Sequence, residues 1–121
     1  MTYNINYFMK VTLSFEQSTS GDVSIMVDAL RASTTITFAL NNFKRVIPCF
    51  SPEEAFKLKD ELDGIVAGER MGKQIEGTDI GNSPCAIRDY ETSKDTLILT
   101  TSNGTRILEN MTSKVLVGSM V

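Results

Sequence analysis

The chain has 121 residues, 41% apolar and 22% charged, with a formal net charge of −3. That length supports one modest domain and not two, and the acidic balance carries no electrostatic footprint for nucleic acid. No apolar run reaches the roughly 20 residues that span a bilayer, and no basic segment leads into an apolar stretch as in a signal peptide, so the expected setting is the cytoplasm, away from membranes.

Residues 1–8 alternate polar and apolar, with Tyr3, Ile5 and Tyr7 on one side, as in a short edge strand or an amino-terminal extension over residues 1–9. Lys10 to Phe15 alternates again, with Val11, Leu13 and Phe15 sharing a side, and reads as a strand. Ser18 to Asp22 is a turn. Val23 to Val27 is a short apolar strand that ends at Asp28. Ala32 to Asn42 reads as a helix with the buried stripe Ala32, Ile36, Leu40 and Phe43. Its threonines are weak helix formers, so packing has to support it. Arg45 to Phe50 is the next strand. Ser51-Pro52-Glu53-Glu54 then starts a helix: Ser51 caps it, Pro52 fits the first turn, and Glu54 takes the capping-box position. In this helix Ala55, Leu58 and Leu62 face the core, and Glu53 and Lys57 form an i,i+4 pair. Asp63-Gly64 stops it, and Ile65 to Ala67 is a buried strand. Gly68 to Lys94 reads as one long loop, punctuated by Gly72, Gly77, Gly81 and Pro84, a length that marks a functional or disordered segment. Thr96 to Thr100 is a strand, Thr105 to Met111 a short helix, and Lys114 to Val117 a strand.

Strands that alternate with helices predict an α/β fold, a mainly parallel or mixed sheet flanked by helices in three α/β/α layers over residues 10–121. The polar exits at Asp28, Gly68, Thr100 and Gly118 then share the carboxyl edge of the strands, where open α/β sheets bind ligands.

The chain has no histidine, which removes Ser-His-Asp and Cys-His chemistry and any zinc site with imidazole ligands. Oxygen donors alone favour a hard cation such as magnesium. The two cysteines, Cys49 and Cys85, are expected to be reduced. Arg88 follows Cys85 too closely for the phosphate-cradling loop of a cysteine phosphatase, so Cys85 reads as a small loop or core residue.

Asp28, directly after a strand, is either a magnesium ligand or phosphate-attacking carboxylate, or the N-cap of the next helix. Arg31 and Arg70 each stand at a strand exit, where a guanidinium fork suits an oxyanion or pairs with the adjacent acid. Glu69, after the small residues Ala67 and Gly68, either ligates a metal or pairs with Arg70. Asp79, in Gly77-Thr78-Asp79-Ile80-Gly81, is a further metal candidate, although Asp near Gly is common in plain turns. Thr101, Ser102, Asn103, Gly104 and Thr105 join a strand to a helix, as an anion site or as a capped turn. The stretch is neither a Walker loop nor a dinucleotide fingerprint.

Four stretches in this order and spacing form a more specific pattern: Val27 to Thr35, Ala67-Gly68-Glu69-Arg70, Ile75 to Pro84, and Leu99 to Thr105. Together they resemble the 2-phosphosulfolactate phosphatase (ComB-like) family, from about Lys10 to Ser119 and including Val115-Leu116-Val117-Gly118-Ser119. The resemblance implies a magnesium-dependent hydrolase that converts 2-phospho-3-sulfolactate to 3-sulfolactate and phosphate, on a route to coenzyme M, or that acts on a related small phosphorylated organic acid. It implies Mg2+ on Asp28 and Glu69, with Asp79 as a further ligand. Arg31 and Arg70 would bind the phosphate and the carboxylate or sulfonate, with Asn82, Ser83, Thr101, Asn103, Gly104 and Thr105 completing the substrate site. Water activated at the metal and an aspartyl-phosphate on Asp28 are the two competing routes. Met71 stands where the family commonly has glycine. The family chain is about twice this length, so the sequence reads as an amino-terminal half. It is expected either to hydrolyse the ester or to persist as an inactive anion-binding remnant, in either case as a candidate homodimer.

Overall fold

A computed structural model of the chain describes residues 11–15, 21–109 and 111–119. In chain order the elements are β1 (Val23–Val27), α1 (Ala32–Ala39), β2 (Arg45–Cys49), α2 (Pro52–Leu62), β3 (Ile65–Arg70), β4 (Lys73–Gln74), α3 (Pro84–Arg88), β5 (Thr96–Thr100), α4 (Gly104–Leu108) and β6 (Lys114–Gly118). The strands form a four-stranded sheet in the order β2-β5-β3-β4 and a two-stranded sheet of β1 and β6. Every pairing is parallel except β3 with β4.

The central strand β5 explains the layering. All of its residues are buried, and successive side chains of a strand point to opposite faces. Leu97 and Leu99, with Ile65 and Ala67 of β3, meet Ile36 and Ala39 of α1, Ile87 of α3, Phe43 and Met26 on one face. Ile98 and Val66 meet Ala55, Phe56 and Leu58 of α2 and Cys49 on the other. Helices therefore cover both faces of a mixed sheet, the predicted α/β arrangement. Burial pushes the Cys49 thiol up to about 11, and the Glu54 carboxylate beside it adds to the rise, so this sulfur stays protonated.

Several elements form where the pattern placed them. β1 and β5 have the predicted bounds. Ser51 Oγ accepts from Glu54 N at 3.1 Å with Pro52 in the first turn. Asp63 ends α2 in the left-handed region at φ 50°.

Other expectations need correction. Residues 11–15 carry no strand, and Val11, Leu13 and Phe15 are exposed, for alternation alone does not make a strand without tertiary pairing. Residues 1–10, and with them the proposed edge strand or extension, lie outside the described residues, as does most of the Ser18 to Asp22 turn. Helix α1 stops at Ala39, with Leu40 exposed and Ala39 buried in its place. Lys57 pairs with Glu61 at 3.8 Å rather than with Glu53. β1 turns only Met26 fully inward and leaves Val23, Ile25 and Val27 exposed. The supposed loop over 68–94 is partly regular. β3 continues through Arg70, β4 pairs back on it, and Ser83 caps α3 by accepting from Ala86 N at 3.3 Å, with Pro84 in the first turn. Among the described residues, no helix is long and apolar enough to cross a membrane.

Candidate active site

The carboxyl ends of β1, β3 and β5 open onto a cleft of about 230 Å3 lined by Asp28, Leu30, Arg31, Glu69, Gly72, Asn82, Thr101 and Asn103. That volume is below the ~300–1,000 Å3 of most organic-ligand pockets.

Asp28 leaves β1 and is half-buried. It does not cap α1. The N-cap position is Arg31, without a side-chain cap, and Asp28 contributes only main-chain bonds, its N–H to Ser33 Oγ at 3.1 Å and its C=O to Ser33 N at 2.8 Å. Its carboxylate therefore has no hydrogen-bond or ion-pair partner among the described residues. The Arg31 guanidinium is also without one, so the two are not an internal salt bridge.

Glu69 is buried and also does not pair with the neighbouring arginine side chain. Its Oε1 accepts from Gly72 N and from Ser102 Oγ, the latter at 3.2 Å. Arg70 turns the opposite way, as the next residue of a strand must. Its Nη1 donates to the Glu69 carbonyl at 2.7 Å, and its Nη2 donates to Thr100 Oγ1 at 2.8 Å and to the Phe50 carbonyl at 3.2 Å. Arg70 thus staples the ends of β3, β5 and β2 and does not line the cleft.

Asn82 is 5% exposed, and its Oδ1 has no hydrogen-bond partner. An unsatisfied buried acceptor is costly, and the residue that carries this one is in the wall of the cleft with Asp28 and Glu69. Carbonyl and carboxylate oxygens together match what a hard divalent cation takes, and magnesium is commonly held by one or two carboxylates with water and substrate phosphate filling the remaining positions. Among the described residues no three Asp, Glu, Cys or His side chains gather at one point.

Asp79 is not brought to this cleft. Both of its oxygens lie 2.8 Å from Lys59 Nζ, and Oδ2 accepts from Val66 N at 2.8 Å, which ties the 75–80 turn to α2 and to the start of β3. Ser83 is occupied as the cap of α3. Thr105 is buried and exchanges bonds with Thr101: Thr105 N donates to Thr101 Oγ1 at 3.3 Å, and Thr105 Oγ1 donates to the Thr101 carbonyl at 3.0 Å. Gly104 is buried against Ala32 and Asp28. Of the β5–α4 turn only Thr101 and Asn103 line the cleft, and Asn103 makes no side-chain cap to α4.

Leu30 and Gly72 line the cleft without having been singled out in the sequence, and Ser102, noted only as part of a motif, contacts Glu69. A signal for the second turn was present. Met71 takes φ 53° and Gly72 φ 80°, a left-handed pair that reverses the chain from β3 into β4. Met71 is 92% exposed, so its side chain gains nothing from packing. Glycine at this position removes the Cβ cost of the left-handed conformation. Met71→Gly is expected to raise stability by about 0.5–1 kcal/mol, read as a higher urea midpoint at unchanged slope.

The family model described as 2-phosphosulpholactate phosphatase matches residues 9–121. The chain belongs to that family. It is 48% identical over 93% of its length to a 2-phosphosulfolactate phosphatase of Methanothermobacter thermautotrophicus, covering 48% of that protein. It is 40% identical over 88% of its length to a probable 2-phosphosulfolactate phosphatase of Clostridium acetobutylicum, covering 47% of it. A probable 2-phosphosulfolactate phosphatase of Thermotoga petrophila is 38% identical over 79% of the chain and 42% of its own length. The chain thus spans about half the length of the curated relatives it matches.

Proposed function

We propose that the cleft is the phosphate-and-cation end of a magnesium-dependent phosphatase site, and that its substrate is 2-phospho-3-sulfolactate, released as 3-sulfolactate and phosphate on a route to coenzyme M. The observation that carries the reading is the convergence of groups left without partners among the described residues. Asp28, Arg31 and Asn82 line one small opening with Glu69, and the Asn82 Oδ1 is a sealed acceptor without a partner in its wall.

Asp28 and Glu69 supply the negative charge for Mg2+, with Asn82 Oδ1 as a neutral oxygen donor; Asp79 and its ion pair with Lys59 have no part in it. When bound, the cation supplies positive charge against the phosphoryl oxygens and lowers the pKa of a coordinated water. Arg31 donates its fork to phosphate oxygens, and Asn103 and Thr101 offer further donors from the β5–α4 turn. Arg70 acts indirectly by fixing the strand ends that carry Glu69 and Thr100.

The test is phosphate release from 2-phosphosulfolactate by the purified chain, with Mg2+ and then with EDTA. Magnesium-dependent release is the expected result. A folded chain that binds inorganic phosphate without turnover would instead identify an anion-binding remnant of the family.

A further inference from the structure

Among the described residues, Ser102 makes the one hydrogen bond between the β5–α4 turn and the Glu69 carboxylate. Its hydroxyl accepts from Met71 N at 3.0 Å and donates to Glu69 Oε1 at 3.2 Å. Gly72 N donates to the same Oε1. Two donors converge on one oxygen of a buried carboxylate. Oε2 accepts from no described group, and Glu69 lines the cleft.

We infer that Ser102 is a positioning residue for Glu69, clamping Oε1 to the β3–β4 turn so that Oε2 is presented to the cleft. The inference rests on the reading of Glu69 as a cation-holding group. The chemistry is that of a ligand whose second oxygen is fixed by hydrogen bonds. Such bonds orient the ligating atom, and their loss typically weakens metal affinity by roughly 10–100-fold. The same hydroxyl satisfies the amide of Met71, a residue held in the left-handed region, so one side chain joins the geometry of the turn to that of the carboxylate.

Two readouts separate positioning from a merely local bond. Met71 N bonds directly to Ser102, so its exchange in Ser102→Ala reports only the lost acceptor. Gly72 N bonds to Glu69, so its exchange reports whether the carboxylate has moved. We would measure amide hydrogen exchange of the cation-free protein, and Mn2+ uptake by electron paramagnetic resonance as a stand-in for Mg2+, in the wild type, Ser102→Ala and Ser102→Thr. In Ser102→Ala, both amides are expected to exchange about tenfold faster, the effect of losing one hydrogen bond, and Mn2+ affinity is expected to fall roughly tenfold or more. Ser102→Thr keeps the hydroxyl and restores both. Gly72 exchange unchanged in Ser102→Ala, or Mn2+ affinity unchanged beside faster exchange, would overturn the inference. A wild-type chain that takes up no Mn2+ would overturn the cation reading of the cleft, and the Gly72 comparison would still decide whether Ser102 holds Glu69.

Discussion

Asp28→Asn is expected to abolish magnesium-dependent phosphate release, by on the order of 10³-fold or more, while the folded state is retained or slightly stabilised. Both halves of that result follow from how the residue is held. The carboxylate makes no hydrogen bond or ion pair with any described group, so asparagine of the same shape breaks nothing, and the main-chain bonds between Asp28 and Ser33 are untouched. Asp28 and Glu69 line the same small cleft. Without a cation, two carboxylates in one opening oppose each other, and removing one charge relieves the cation-free protein. With a cation, the balance reverses, because the charge that is costly in the free protein is the charge that holds the ion. Thermal melts with and without Mg2+, run beside the release assay, check the prediction. Wild type is expected to gain stability with Mg2+ by mass action and Asp28→Asn to gain none. A variant that still hydrolyses the ester, or one that simply fails to fold, sinks the assignment of Asp28.

Which parts of this arrangement the sequence revealed depended on whether the signal was local. The Ser51-Pro52 start of α2 is local, since cap, first-turn proline and acceptor geometry lie within four residues, and it formed as read. Ser83-Pro84 carries the same signature and starts α3, but it was hidden in a stretch whose glycines dominate the composition. The strand exits placed Asp28 and Glu69 at one edge correctly. Neighbouring residues were then grouped with them by proximity in sequence, which strand geometry forbids: with Glu69 turned into the cleft, Arg70 has to face the other way, where it finds Thr100 and the Phe50 carbonyl. Asp79 failed for a non-local reason, because its partner Lys59 lies on a helix 20 residues earlier and no pattern links the two. The same holds for Val11, Leu13 and Phe15, whose alternation says nothing about whether a neighbouring edge exists. Asn82 belongs to the opposite case. Its type and motif made it a candidate, and only the structure shows that it is buried in the wall of the cleft with an unsatisfied Oδ1.

Gly104→Ala is expected to cost about 3 kcal/mol, and its repair should separate the fold from the site. Gly104 does not sit in the left-handed region, so its requirement is for space and not for backbone freedom. A Cβ there falls 2.3 Å from Ala32 Cβ, 3.0 Å from Asp28 Oδ2 and 3.4 Å from Thr101 Oγ1. Ala32 is fully buried at the start of α1 and has no flexible end to swing aside. The first turns of α1 and α4 must therefore separate, and a well-packed interior resists that. For a domain of this size the loss lowers the melting temperature by roughly 10 °C. Ala32→Gly alone costs about 1 kcal/mol through helix propensity. In the double variant it removes the 2.3 Å clash, so the two effects are expected to combine to less than their sum, a coupling a double-mutant cycle measures. The contact with Asp28 Oδ2 is not relieved by that change. The double variant should thus recover much of its stability without recovering the full stabilisation by Mg2+. Additive losses would mean that α1 and α4 do not meet at this glycine. Full recovery of the Mg2+ response together with stability would mean that the Gly104 contact does not set the position of the Asp28 carboxylate.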